Sequence, residues 1–284
     1  MSSELGFGDL VLCPATLGSP SLEVLVQAAS AAGFQGVDLT PEQILDAQPR
    51  LGALDAVKRA VNDAGLRVTM GALKDWINDP SFRLARRYAA SRIVPRAQVF
   101  ELAEAMGVQI LNVTDLSDID RDWKLVSDSF ASVCDEAAQY GIVATIEFCF
   151  GRMMNDLDTT ARIIEGAGRE NGGILLDTFH YHRGPVDGAA QLERHASRVR
   201  MLHVSDTAMW PWSDQRAERQ HGRLLPGTGT TPLIEILRAV RDAGRNSPIG
   251  VEINNDALHA MPPVEAAKLA AAATRSILER VAAA

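Results

Sequence analysis

Four short runs, IVATIEF (residues 142–148), GILLD (173–177), RMLHVS (200–205) and IGVEI (249–253), decide the fold. Each is almost wholly apolar, as befits a parallel strand covered on both faces. Each also carries an ionisable residue at or near its carboxyl end: Glu147, Asp177, His203 and Glu252. Working outward, DLVLC (9–13), GVDLT (36–40), RVTMGA (67–72) and VQILNVT (108–114) are runs of the same kind, and segments with helical spacing separate all eight. Eight βα units in 284 residues predict an α/β fold, a (β/α)8 barrel. A doubly wound open sheet carries a glycine-rich phosphate turn after its first strand. Here that turn is CPATLG (13–18), and the chain has neither GxGxxG nor GxxxxGK[ST], so nucleotide binding has no sequence support.

Helix signals agree with the alternation. Ser19-Pro20 and Thr231-Pro232 place a capping residue before a first-turn proline, and Thr40-Pro41-Glu42-Gln43 reads as a capping box. Gly33, Gly65, Gly107, Gly141 and Gly244 stand where a left-handed residue would end a helix before the next strand. The alanine-rich stretch 263–284 is expected to form the last outer helix. No linker or low-complexity segment divides residues 1–284, which read as one domain.

The net charge of −8, without a basic block, weighs against nucleic acid or anionic lipid as partners and favours a small soluble substrate. Three scattered cysteines, Cys13, Cys134 and Cys149, form no disulfide framework. No apolar stretch approaches the roughly 20 residues of a membrane span, and the N-terminus lacks a signal pattern. The expectation is a cytoplasmic protein, with homo-oligomerisation left open.

Catalytic groups of this architecture sit where the strands end. A single carboxylate or imidazole in an apolar strand is commonly held by a neighbouring cation. Four on consecutive strands converge on one rim and suit a divalent ion. Manganese is the first choice, and magnesium, cobalt or zinc also suit the donors. His180, three residues after Asp177, can reach the cavity. Asp38, Asn112, Thr114 and Asp206 add polar lining. His195 and His259 fall on helices and are expected to be exposed. Two long connections stand out. Residues 73–92 hold Lys74, Asp75 and Trp76, and residues 206–229 hold Trp210, Trp212, His221 and Arg223. Both read as a lid over a polar ligand, or else as a surface loop or oligomer contact. Trp76, Trp210 and Trp212 would offer an apolar wall, whereas Trp123 reads as packing.

At these residues the chain resembles the sugar isomerase/epimerase superfamily with the xylose isomerase-like barrel, which includes ketose 3-epimerases, hydroxypyruvate isomerase, inosose dehydratase and apurinic endonucleases. The carriers are GFQGVDL (33–39), IEF (146–148), LDTFH (176–180), LHVSD (202–206), RLLPGTG (223–229) and GVEI (250–253). The resemblance implies that Glu147, Asp177, His203 and Glu252 bind one divalent metal. It also implies that His180 and Arg223 contact substrate, and Lys74, Trp76 and Asn112 are candidate lining residues. Glu147 and Glu252 would exchange a proton next to a carbonyl, through a metal-stabilised enediolate. Isomerisation or epimerisation of a ketose or related hydroxy-ketone is the leading expectation. The alternative is a metal-dependent dehydratase acting on a cyclic keto polyol or keto acid, such as inosose or dehydroshikimate. The endonuclease branch needs further histidines where this chain has Met70 and Asn112, and an Asp-x-His absent from residues 206–229.

Overall fold

All eight apolar runs become parallel strands in the computed structural model, which describes residues 4–79, 92–114, 122–152, 154–184 and 187–283. They are β1 (Leu10–Leu12), β2 (Gly36–Leu39), β3 (Arg67–Leu73), β4 (Val108–Val113), β5 (Val143–Glu147), β6 (Gly172–Asp177), β7 (Val199–Val204) and β8 (Ile249–Val251). Each pairs with its sequence neighbours and β1 pairs with β8, closing the barrel. The helices are α1 (Leu22–Ala31), α2 (Pro41–Leu51), α3 (Leu54–Asp63), α4 (Arg96–Met106), α5 (Trp123–Ala138), α6 (Leu157–Ala167), α7 (Thr178–Arg183), α8 (Gly188–His195), α9 (Gln215–His221), α10 (Leu233–Asp242), α11 (Asp256–His259) and α12 (Pro263–Ala282). The last helix packs against α1 and α10, as its alanine-rich, close-fitting face permits.

The capping box at Thr40 forms as expected: its hydroxyl accepts from the Gln43 amide, and the Gln43 side chain accepts from the Thr40 amide. The five helix-ending glycines all have positive φ. Two other caps are corrected. Ser21, not Ser19, precedes α1, and Pro232, not Thr231, precedes α10. Thr231 instead belongs to the loop before it, where its amide donates to Asp206. Strand ends move by a residue or two, and Glu252 lies just past β8 while still extending the ladder through its amide to the Val204 carbonyl at 3.2 Å.

Strand alternation explains how an apolar barrel presents a polar rim. Val11, Ile110, Leu175 and Met201, with Val143 against them, form a plug inside the barrel, separate from the larger core beneath the helices. Because successive side chains point to opposite faces, the residues two further along lie on the same inner face. These are Cys13, Asn112, Asp177, His203 and Thr145, and Glu147 follows two beyond Thr145. A one-residue slip would bury the carboxylates against the helices, so the apolar plug fixes where they emerge.

The loop from β7 to α10 is organised around buried Asp206. One carboxylate oxygen accepts from the amides of Thr207 (2.9 Å) and Thr231 (2.8 Å), and the other accepts from Gly227 (3.0 Å) and Gly229 (2.9 Å). Its backbone exchanges two 2.8 Å hydrogen bonds with Leu224. Asp206 is therefore a loop clamp rather than site lining. Replacing it with alanine strands four amide donors, of which those of buried Thr207 and Thr231 cost about 1–3 kcal/mol each when left unpaired. Urea denaturation is expected to show a loss of about 3 kcal/mol or more, with a smaller loss for Asp206→Asn, which keeps one oxygen.

Candidate metal centre

Strand register brings the four polar strand-end residues together. Asp177 pairs with His203 across β6 and β7, and His203 pairs with Gly250 across β7 and β8. One donor atom from each of Glu147, Asp177, His203 and Glu252 lies within 4.8 Å of every other. Gly250 makes the room: a Cβ there would fall 2.5 Å from the His203 ring. The Nε2 end of that ring meets Cys13, whose sulfur lies 3.7 Å away. Burial pushes the Cys13 thiol up to about 12, so it stays neutral.

His203 Nδ1 is buried and has no hydrogen-bond partner. It faces Glu147 Oε1 at 3.8 Å and Glu252 Oε2 at 3.6 Å. Asp177 is divided in function. Its Oδ1 accepts from the amides of Phe179 (2.7 Å) and His180 (3.3 Å), which leaves Oδ2 facing the cluster. The Asn112 amide nitrogen donates to Glu147 Oε2 at 3.3 Å, and the Thr145 hydroxyl donates to the Asn112 oxygen, so Asn112 orients Glu147. An unpartnered imidazole nitrogen facing three carboxylates fits a cation.

Arg223 is the fixed counter-charge. Its Nη1 donates to Asp177 Oδ2 at 2.7 Å and Glu252 Oε2 at 3.0 Å, with its guanidinium 4.9 Å above the Phe179 ring. Its own amide donates to the Asn254 carbonyl, and its carbonyl accepts from the Asn255 side chain. With the three carboxylates ionised and the imidazole neutral, as metal ligands must be, the cluster and Arg223 would sum to −2, the charge that one divalent ion offsets. Without an ion, burial is outweighed by Cys13 and Glu252, which raise His203 well above the ordinary imidazole value. Burial, then repulsion from Glu252, pushes Glu147 up to about 8. Burial also raises Asp177, partly offset by Arg223. At Glu252 the burial penalty is outweighed by Arg223 and His203, and its carboxyl is held well below the usual range.

His180 is buried, and its Nδ1 accepts from the Phe150 amide at 3.1 Å. Burial, then the charges of Arg223 and Arg219, drive its pKa well below the usual imidazole value. The ring is therefore neutral, with its proton on Nε2. Cys149, on the inner side beyond Glu147, joins Glu147 and His180 in a second close group of donors. Asp38 accepts from the Thr69 hydroxyl at 2.6 Å on the opposite side of the barrel mouth.

Two lining candidates are engaged elsewhere. Lys74 donates to Glu42 at 2.6 Å and to the Arg92 carbonyl at 3.3 Å. Trp76 is fully buried, packs edge-on against Phe130 and donates to the Thr114 carbonyl at 3.1 Å, which makes it a core residue. Trp210 and Trp212 are exposed rather than forming a wall. Trp123 packs under the Arg162 guanidinium. His195 and His259 are half-buried, not exposed: His195 meets Asp158 at 2.6 Å and His259 meets the Ala15 carbonyl at 2.8 Å. The rest of the connection after Trp76, residues 80–91, lies outside the described residues.

The profile of the xylose isomerase-like TIM barrel family matches residues 26–277. The chain belongs to that family. It is 26% identical over 251 residues to the 3-dehydroshikimate dehydratase of Pseudomonas aeruginosa, a match covering 86% of this chain and 38% of the dehydratase. It is likewise 26% identical over 146 residues to the inosose isomerase of Halalkalibacterium halodurans, covering 51% of each chain. The chain thus spans about half or less of the length of these two curated relatives. Among solved structures, the IolI protein with a bound zinc atom superposes with a TM-score of 0.81 at 18% identity, covering 96% of this chain and 98% of that one. The relatives are enzymes, a dehydratase and an isomerase, and among the described residues no helix is long and apolar enough to cross a membrane.

Proposed function

We propose that this member of the family is a divalent-metal-dependent isomerase or epimerase of a ketose or related hydroxy-ketone. The observation that carries the reading is the orphaned His203 Nδ1 facing three carboxylates with a single arginine between two of them. Glu147, Asp177, His203 and Glu252 would hold the ion; manganese leads, and magnesium, cobalt or zinc fit the same donors. When bound, it supplies Lewis-acid polarisation of a carbonyl and its neighbouring hydroxyl.

The protein's own groups handle the proton. Glu147 on β5 and Glu252 after β8 approach the cluster from strands separated by two others, so a substrate between them meets one carboxylate on each side. One removes the proton next to the carbonyl and the other returns it. Arg223 donates to Glu252 and Asn112 donates to Glu147, which fixes the two carboxylates on either side of the substrate. Neutral His180 donates from Nε2 to a substrate oxygen, and Arg223 also bears on that oxygen's side of the cavity.

A dehydratase reading rests on a specific likeness: the relative matched over 86% of this chain is a dehydratase. The same pair of glutamates would serve, with the leaving β-hydroxyl taking the returned proton. Proton NMR in deuterated water with added magnesium or zinc, followed by a separate assay with manganese whose products are read after the paramagnetic ion is removed, separates the outcomes over a panel of ketoses, inososes and cyclic keto acids. Deuterium entering beside the carbonyl with the skeleton intact supports the isomerase or epimerase. Loss of water supports the dehydratase, and no exchange with any substrate overturns both.

A further inference from the structure

Next to the metal cluster, a cavity of about 230 Å³ opens between the β5–α6 connection and α9. Phe150 and Phe179 form its apolar sides, and Arg152, Arg216 and Arg219 line it, while no carboxylate does so among the described residues. It adjoins the site through three direct contacts. The Phe150 amide donates to His180, the Phe179 ring carries the Arg223 guanidinium, and the Arg219 carbonyl accepts from Arg223 Nε at 3.2 Å.

Most other arginines of this end of the barrel are spoken for. Arg183 is buried against fully buried Glu218 and donates to the Ala208 carbonyl, which docks α9 and with it Arg219 and Arg216. Arg223 holds Asp177 and Glu252. By contrast, the Arg219 and Arg216 guanidiniums meet no hydrogen-bond or ion-pair partner among the described residues, although Arg219 is half-buried. A half-buried guanidinium in an apolar-sided niche carries a desolvation cost that an oxyanion offsets.

Resting on the metal-centred reading above, we infer that this cavity is a subsite for an anionic oxygen group of the substrate, a carboxylate or a phosphate, held by Arg219 with Arg216 beside it. A substrate that places a carbonyl at the cluster and an oxyanion in the cavity is a keto acid or a ketose phosphate, not a neutral sugar. The class follows from the lining: three arginines and, among the described residues, no carboxylate favour an anionic group there over a neutral hydroxyl.

The test uses the metal-loaded protein and measures binding by calorimetry for inorganic phosphate, a cyclic keto acid, its methyl ester, a ketose phosphate and the parent ketose. Wild type, Arg219→Gln and Arg219→Lys are compared, with circular dichroism to check folding. Arg219→Gln is expected to weaken the anionic ligands about tenfold or more relative to their neutral counterparts, the scale of one charged hydrogen bond. Arg219→Lys should recover part of that preference. Preference for the keto acid over the ketose phosphate, or the reverse, identifies the group. Equal binding of charged and neutral ligands by wild type, or an unchanged ratio in Arg219→Gln, overturns the subsite. The metal-centred reading fails separately: Arg219-dependent anion binding with no deuterium exchange on any ligand supports the subsite and overturns the proposed reaction, whereas exchange on neutral ketoses without anion preference does the opposite.

Discussion

Replacing Glu252 with glutamine is expected to lower turnover by about a thousandfold or more while the barrel stays folded. The side chain keeps its size, and β8 and its ladder do not depend on the carboxylate. Two things are lost. A positioned proton carrier contributes about a hundred- to ten-thousandfold in general acid–base catalysis. One of four donor groups loses its charge, which weakens the hold on the ion. Arg223 keeps Asp177 as a partner at 2.7 Å, so the guanidinium is not stranded. Deuterium exchange measured at saturating metal isolates the first loss, and a metal titration isolates the second. Exchange abolished at full metal occupancy assigns proton transfer to Glu252. Activity equal to wild type would remove Glu252 from the mechanism.

The parts legible in the sequence are those written in local periodicity. Apolar runs of about five residues separated by helical spacing need only the alternation of faces to place Glu147, Asp177, His203 and Glu252 on one inner surface. Gln43 at the third position after Thr40 and the glycines at helix ends are equally local signals. Side chains whose role is fixed by a distant partner were not legible. Lys74 is taken by Glu42, 32 residues away. Trp76 is drawn into the core by Phe130 and the Thr114 carbonyl. Asp206 reads as a strand-end acid, yet all its capacity goes to loop amides up to 25 positions along the chain. Gly250 stands inside the GVEI motif, but its reason is visible only once His203 is seen beside it. The arginine-lined cavity depends on the buried Arg183–Glu218 pair that docks α9, and no spacing in the sequence announces that pair.

Removing the divalent ion with a chelator is expected to abolish turnover, and adding manganese, magnesium, cobalt or zinc back should restore it to differing degrees. The physical reason lies in the charge at the cluster. With no ion, Arg223 offsets only Asp177 and Glu252, and nothing polarises the substrate carbonyl or offsets the negative charge that develops on its oxygen when the neighbouring proton leaves. An ion that binds only the folded chain also stabilises it, by about 4 kcal/mol at a thousandfold excess over its dissociation constant. The melting temperature should therefore rise with ion concentration, and this rise should be reduced in Asp177→Asn as well as in Glu252→Gln. Asp177→Asn is the sharper control, because its Oδ1 still accepts from Phe179 and His180 while the oxygen facing the cluster is the one replaced or weakened. Turnover that persists after chelation with no metal found by elemental analysis, or a melting temperature indifferent to every ion, would sink the metal centre. A metal-dependent melt without turnover on any ketone would keep the centre and reject the reaction assigned to it.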